Sequence, residues 1–430
     1  MTPIQAVILA AGAGQRLGRG PKALVPFLGL RLIERSVLAL RQAGVDEFIV
    51  VVGAGGAATA QAVTSSSRLR DVPLRAIVSE RWQEGNGASA MAAMAAVRCP
   101  FLLAMADHVI DPVAVRRLMQ ETPPAILVDF APGEGVLAEA TKVTVDAGRV
   151  IAAGKRLQER AVDAGFFLCD ESVVLAVREH VEKGQAEWSA IYPSVRPMAV
   201  DIAGGFWADL DTPEDFERAE GALLRSLTKA DDGPVSRHLN RRISRQISRA
   251  LVRTSVTPNQ ISLAVFLISV VGAGLFWAGG WFTLALGGIL VQIASVLDGT
   301  DGEIARLRIQ TSPFGGWLDA TLDRYADAIV LVGITMALPV RGDAALAAAF
   351  AALFGSLLVS YTAARYEGAF HRRAPFQEGI VIPAKRDTRS LIVMVAGLTG
   401  ALFPGLLVLA ALTNAEVVRR VLLVRRHEVS

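Results

Sequence analysis

Apolar positions follow two regimes along the chain. From 1 to 228, short apolar runs alternate with charged stretches, placing strands at 47–53, 74–80 and 100–106 and helices at 31–44, 56–66 and 86–97. Strands and helices in alternation predict an α/β, Rossmann-like domain on a parallel sheet. From 256 to 424 the apolar stretches lengthen enough for about six helices of roughly 20 residues, near 259–279, 282–300, 315–340, 343–364, 388–403 and 404–424. This half reads as an all-α polytopic membrane domain.

The segment 229–258 belongs to neither regime. Lys229-Ala-Asp-Asp-Gly-Pro234 reads as a hinge, and Val235 to Arg253 holds six arginines and no acid. At helical spacing Leu239, Ile243, Ile247, Ala250 and Leu251 fall within about 120° of arc, while Arg237, Arg241, Arg242, Arg245, Arg249 and Arg253 fill the other side. That pattern predicts an amphipathic helix on an anionic membrane surface; a solvated basic helix packed on the first half is the competing reading. The expected organisation is therefore 1–228, a hinge and interfacial helix over 229–258, and a membrane domain over 259–430.

Charge refines the topology. The joins at 279–280 and 403–405 carry no Lys or Arg and that at 341–343 only Arg341, whereas the opposite side holds Arg306, Arg308, Arg372, Arg373, Lys385, Arg386, Arg389, Arg425 and Arg426. The positive-inside rule then places both termini on the cytoplasmic side of a multi-pass inner-membrane protein. Net charge is only +3, and the basic residues cluster beside the apolar segments, which favours membrane lipids and phosphorylated substrates over nucleic acid. Two cysteines, Cys99 and Cys169, in apolar strand-like settings indicate a reducing compartment without disulfides. The apolar run Ala6 to Ala11 is too short, and lacks the basic flank, for a signal peptide.

The most informative chemistry lies in Asp298-Gly-Thr-Asp301-Gly302-Glu-Ile-Ala305-Arg306, followed by Gly315, Asp319 and Asp323. In helices, Asp298 and Asp301 stand one turn apart, as do Asp319 and Asp323, so each pair projects two carboxylates one way. Oxygen ligands favour Mg²⁺ or Mn²⁺ over zinc, and paired ions suit displacement at phosphorus. The run matches without a gap the signature of the CDP-alcohol phosphotransferase family. Eight fixed positions coincide by chance in roughly one start in 10¹⁰, so the resemblance is specific. Acids paired with Arg306, Arg308 and Arg324 are the structural alternative, a costly one among apolar flanks. The resemblance implies metal at Asp298, Asp301, Asp319 and Asp323, nucleotide at Gly302, Ala305, Arg306 and Gly315, general-base work for Asp323, and a homodimer through the membrane helices.

A second signature opens the chain. Ala6 to Gly12 is a buried strand running into Gly12-Ala-Gly14-Gln-Arg16-Leu-Gly18, then Pro21-Lys22. Such a turn offers backbone N–H groups to a polyphosphate, with Arg16 and Lys22 to stabilise departing pyrophosphate. The spacing is not that of dinucleotide-binding folds. It resembles the sugar-phosphate nucleotidyltransferase family over most of 4–225. The resemblance implies a base-reading loop at Glu84, Asn86 and Gly87, metal at Asp107 and Asp211, and the same Mg²⁺ or Mn²⁺ requirement. A helix N-cap at Asn86, and another at Asp211 or Thr212, compete with those roles. Lys142, Gly154-Lys155 and Asp163-Ala-Gly165 read as hairpin strands serving a phosphorylated acceptor.

Joined, the halves describe consecutive reactions through a CDP-alcohol, which makes CTP the expected nucleotide. Their order and length resemble a family of fusion enzymes, which implies inositol-1-phosphate as substrate, CDP-inositol as intermediate, and a second inositol-1-phosphate as acceptor near Arg365, Lys385, Arg386 and Arg389. A lipid hydroxyl acceptor and a first half that only docks are the alternative readings.

Overall fold

The computed structural model describes residues 4–18, 20–137, 140–227, 240–339, 342–372, 374–376 and 381–429. They form two compact units, Met1–Ser226 and Leu227–Ser430. The expected hinge 229–234, the start of the basic segment at 235–239, and Arg341 and Arg373 lie outside the described residues.

The first unit is built on a sheet of nine strands: β1 Gln5–Ala10, β2 Glu47–Val52, β3 Leu74–Val78, β4 Phe101–Met105, β5 Ala125–Asp129, β6 Lys142–Asp146, β7 Arg149–Gly154, β8 Val162–Cys169 and β9 Met198–Asp201. Their spatial order is β3-β2-β1-β4-β8-β5-β9-β7-β6. The first four are parallel, as the alternating pattern predicts. β8 then runs antiparallel to both β4 and β5, a departure from the wholly parallel expectation. Its cause is the β6–β7 hairpin, which turns through Ala147 and Gly148 at positive φ and reverses the chain without a crossover helix.

Strand periodicity divides the core between the two faces. Ala6, Ile8 and Ala10 pack with Ile33, Val37 and Leu40 of the helix Leu32–Ala43. Val7 and Leu9 pack on the other face with Ala90 and Met94 of the helix Asn86–Met94 and Val173 and Val177 of the helix Glu171–Glu182. Ile8 is fully buried, so truncation to alanine there would cost about 2–5 kcal/mol.

Seven helices make up the described part of the second unit: α1 Arg241–Leu251, α2 Pro258–Ala278, α3 Trp281–Leu307, α4 Pro313–Met336, α5 Asp343–Phe370, α6 Arg386–Thr399 and α7 Leu402–Val429. Three of them, α2, α3 and α5, are long and apolar enough to cross a membrane. Local signals set the starts. Thr257 accepts from Gln260 N–H while its own N–H donates to the Gln260 side chain, with Pro258 opening α2. Ser312 accepts from Gly315 N–H and Pro313 opens α4. Helix α3 runs past the expected end at 300, so the whole Asp298–Arg306 run is helical.

One sequence expectation is overturned in α1. Arg241 is buried with Ser244 and Ser248, not turned to the solvent side with the other arginines. Its partner, Glu303 on α3, supplies a charge that periodicity within α1 could not reveal. The apolar side of α1 is covered in part: Ile243 is 42% exposed, whereas Leu251 packs against Ile261, Val265, Ala294 and Ile304.

Candidate active sites

Three chain segments meet around Lys22 in the first unit. Lys22 follows the glycine-rich turn, its N–H bonded to the Gly12 carbonyl at 3.1 Å, and its side chain is buried. The ammonium donates to Asp107 at 2.6 Å and to Asp211, and lies 3.8 Å from Asp209. Arg16 reaches the other oxygen of Asp211 at 3.0 Å.

Asp107 sits just beyond the end of β4, where the sheet opens. The next residues, His108–Ile110, pair antiparallel with Trp207–Asp209 in a register that sets His108 opposite Asp209. Ligand atoms of Asp107, His108 and Asp209 consequently lie within 4.8 Å of one another, and the buried Oδ1 of Asp209 has no hydrogen-bond partner. That oxygen faces two cationic side chains, His108 Nε2 at 3.6 Å and Lys22 at 3.8 Å, without a hydrogen bond to either, which fits a cation-binding role. Asp211, expected as the second metal ligand, is ion-paired with Lys22, as Asp107 is, and also with Arg16. Its neighbour Thr212 forms the reciprocal cap with Asp215 that opens the helix Pro213–Ser226.

Electrostatics follow from this crowding. Burial works against the charge on Lys22, yet the pull of Asp107, Asp209 and Asp211 outweighs it and raises the pKa. Burial pushes Asp107 up, and Lys22 and His108 more than reverse it. His108 is likewise opposed by burial but lifted to about 10 by Asp209 and Asp107. The imidazole Nδ1 is fixed at 2.7 Å from the Ala164 carbonyl, to which Trp207 Nε1 also donates. Gly165 is at φ +79°, and a Cβ there would collide with the His108 ring, so this position admits only glycine. Asp163 accepts from Tyr192 OH at 2.5 Å and Gly165 N–H at 2.7 Å, and burial raises its pKa.

Other expected contacts turn out local. Glu84 is exposed and ion-paired with Arg81 at 2.6 Å. Asn86 is the first helical residue, with Gly85 in the cap position, so it does not cap. Gly87 N–H donates to the Ala186 carbonyl at 2.7 Å. Lys142 opens the hairpin and Lys155 lies in the turn just after its second strand, Lys142 donating to the Lys155 carbonyl at 3.1 Å.

In the second unit two helices deliver the acids. Asp298 from α3 and Asp319 and Asp323 from α4 bring carboxylate oxygens within 4.8 Å of one another. Asp301 is more deeply set, accepting from the Ser262 hydroxyl of α2 and from Gly302 N–H at 2.5 Å. Arg386 at the start of α6 donates to both Asp298 and Asp323. Arg324 adds a contact to Asp323 at 3.2 Å. The group of convergent carboxylates fits one or more hard divalent ions.

Sequence reasoning missed Asp327. It lies 2.8 Å from Arg389 and 3.6 Å from Arg386, continuing the row of Asp319 and Asp323 by one turn, a spacing that was available as a signal. Arg389 is buried, its Nη1 donating to the Ser356 carbonyl at 3.0 Å, while Arg365 is exposed on α5 and Lys385 precedes α6. Gly302 lies beneath Arg306, and Gly315 forms the first turn of α4 beside Asn259. Ala305 is half-buried between them on α3.

Comparisons with known proteins follow the same division. Residues 6–136 match the family described as MobA-like NTP transferase domain, and residues 255–419 match CDP-alcohol phosphatidyltransferase. The bifunctional IPC transferase and DIPP synthase of Rubrobacter xylanophilus is 42% identical over 98% of this chain and 97% of its own. That of Thermococcus kodakarensis is 37% identical over 97% and 96%. Among solved structures, the inositol-1-phosphate CTP transferase from T. maritima aligns with a TM-score of 0.46 at 22% identity, over 51% of this chain and 96% of that one.

Proposed function

We propose, from the premise that this chain belongs to the family of bifunctional IPC transferase and DIPP synthases, that its two units catalyse consecutive phosphoryl-centre displacements. In the first, a phosphate oxygen of inositol-1-phosphate attacks the α-phosphorus of CTP, the bond to pyrophosphate breaks, and CDP-inositol forms. In the second, a hydroxyl of another inositol-1-phosphate attacks the β-phosphorus of CDP-inositol. CMP departs, leaving phosphorylated di-myo-inositol phosphate.

The observation that carries this reading is the convergence of Asp298, Asp319 and Asp323 on the signature run, in a chain that also holds the Lys22 cluster. Lys22 and Arg16 neutralise the departing pyrophosphate. Asp107 and Asp209 would hold a divalent ion there beside His108, with Asp211 joining once Lys22 turns to phosphate. Asp298, Asp301, Asp319 and Asp323 would hold the ions of the second site. Bound Mg²⁺, or Mn²⁺ in its place, would supply Lewis-acid neutralisation of phosphate oxygens. Asp323 accepts the proton of the attacking hydroxyl when Arg386 leaves it for the acceptor's phosphate. Three long apolar helices and the arginine-rich joins support a multi-pass membrane location with both sites facing the cytoplasm, where CTP is made.

The deciding experiment supplies purified protein with CTP, Mg²⁺ and labelled inositol-1-phosphate, with and without lipid. Pyrophosphate, CMP and a soluble labelled double-inositol product are expected without lipid. Label appearing only in lipid would transfer the acceptor role to a lipid hydroxyl, and CMP release without pyrophosphate release would reduce the first unit to a docking module.

A further inference from the structure

Helix α1 meets α3 through a polar face. Asn240, Arg241, Ser244 and Ser248 are all buried there. Glu303, fully buried on α3, accepts from Arg241 Nη1 at 2.7 Å, Ser244 Oγ at 2.9 Å and Ser248 Oγ at 2.6 Å. One turn earlier on α3, a Cβ at Gly299 would collide with the Arg241 guanidinium, so that side chain rests on the backbone between Asp298 and Thr300. At the other end, buried Arg308 donates to the carbonyls of Leu251 (2.8 Å), Val252 (3.0 Å), Thr254 (2.5 Å) and Val256 (2.5 Å), tying down the end of α1. The flank and the C-terminus of α1 are thus both fixed to α3 within 299–308.

A leucine at 303 would pack without the desolvation that a buried carboxylate demands. What Glu303 adds is direction, because its two oxygens must meet three donors at once. Gly299 and Glu303, four apart, face α1, while Asp298 projects toward the Asp319 and Asp323 carboxylates. Any rotation of α3 about its axis therefore breaks the Glu303 contacts and displaces the Asp298 and Asp301 carboxylates together. Misplacing a reacting group by about 1 Å can cost about 10²-fold in rate.

We propose that Glu303, with Arg241, Ser244 and Ser248, is a positioning residue of the phosphotransferase site, fixing the rotation of α3 so that Asp298 and Asp301 address Asp319 and Asp323. The inference rests on the reading of the second unit given above. It also makes α1 part of that site and not only a tether.

The test uses full-length protein in detergent and the CDP-alcohol that the wild type consumes. Glu303→Gln should lower kcat for CMP release about 10²-fold, and the milder Ser244→Ala/Ser248→Ala double variant about tenfold. KM for the CDP-alcohol should stay within about twofold in both, since positioning acts on the displacement step. The Mg²⁺ concentration giving half-maximal rate should rise as the carboxylates lose alignment. Pyrophosphate release by the same preparations should equal that of the wild type. Unchanged kcat and Mg²⁺ demand in either variant would overturn the proposal. So would a lowered unfolding midpoint in Glu303→Gln together with an unaffected double variant, which would leave Glu303 a stabilising residue only. A wild type inert toward CDP-inositol but active on another CDP-alcohol overturns the reaction assigned above and leaves this test intact.

Discussion

The two carboxylate clusters share one electrostatic device and differ in how the chain builds it. Lys22 sits among Asp107, Asp209 and Asp211, and Arg386 bridges Asp298 and Asp323 with Asp327 close by. In the first unit the acids come from separate segments brought together by sheet order and by the register of a two-stranded ribbon. In the second they come from helical spacing on two adjacent helices. The surroundings differ in part: the side chains of Asp107, Asp209 and Asp211 are 31%, 32% and 29% exposed and that of Asp298 is 28%, whereas those of Asp323 and Asp327 are 15% and 14%. An internal cation beside wetted acids is replaceable by water, and one among buried acids is not.

The broadest challenge to the shared device is removal of divalent ions. Chelation with EDTA should stop both pyrophosphate and CMP release, and Mg²⁺ should restore both; a reaction that survives chelation does not use its carboxylates as a cation site. Next in size, Asp323→Asn should lower CMP release about 10²–10⁴-fold while CDP-inositol accumulates, because the proton acceptor is gone but the shape remains. Near-normal CMP release would assign the proton to another group.

The two cations can then be set against each other. Lys22→Ala should reduce pyrophosphate release about 10²–10³-fold yet leave CMP release from supplied CDP-inositol intact. Its fold should tolerate the change, whereas Arg386→Ala should destabilise the second unit by about 3–5 kcal/mol by stranding buried acids. Equal thermal shifts in the two variants would erase the contrast in solvation. The smallest expected effect separates Asp209 from Asp211. Asp209→Asn should raise the Mg²⁺ needed for half-maximal pyrophosphate release by about 10–100-fold, and Asp211→Asn by less. The reverse order would return the ligand role to Asp211.

The same contrast explains what could be read in advance. The Asp298–Asp323 cluster was legible because the period of a helix is fixed, so spacing alone assigns a face. Asp107 was legible from its place after an apolar strand. Asp209 was not, since only the pairing of Trp207–Asp209 with His108–Ile110 brings it alongside. The basic neighbourhood of Arg386 was visible in sequence, and its contacts with Asp298 on α3 and Asp323 on α4 were not. Arg241 was misassigned for a related reason: amphipathic analysis sorts residues within one helix, and Glu303 lies 62 residues away. Six spans were expected from hydropathy, and three of the described helices meet the length and apolarity of a span: α6 is only 14 residues long, and charged residues interrupt the apolar runs of α4 and α7.

That separation has a bearing on how the protein is born. Arg241 leaves the ribosome before Glu303 is made, and at about 5–20 residues per second the interval over 62 residues is about 3–12 s. During that time the future clamp has a cation and no carboxylate, and α2 is made before α3 can deliver one. The basic face of α1 is suited to the wait, since an anionic leaflet can hold it near the translocation site until its partner arrives. Formation of the Glu303 clamp thereby follows the order of synthesis, with α1 made first and the motif helix docking onto it afterwards.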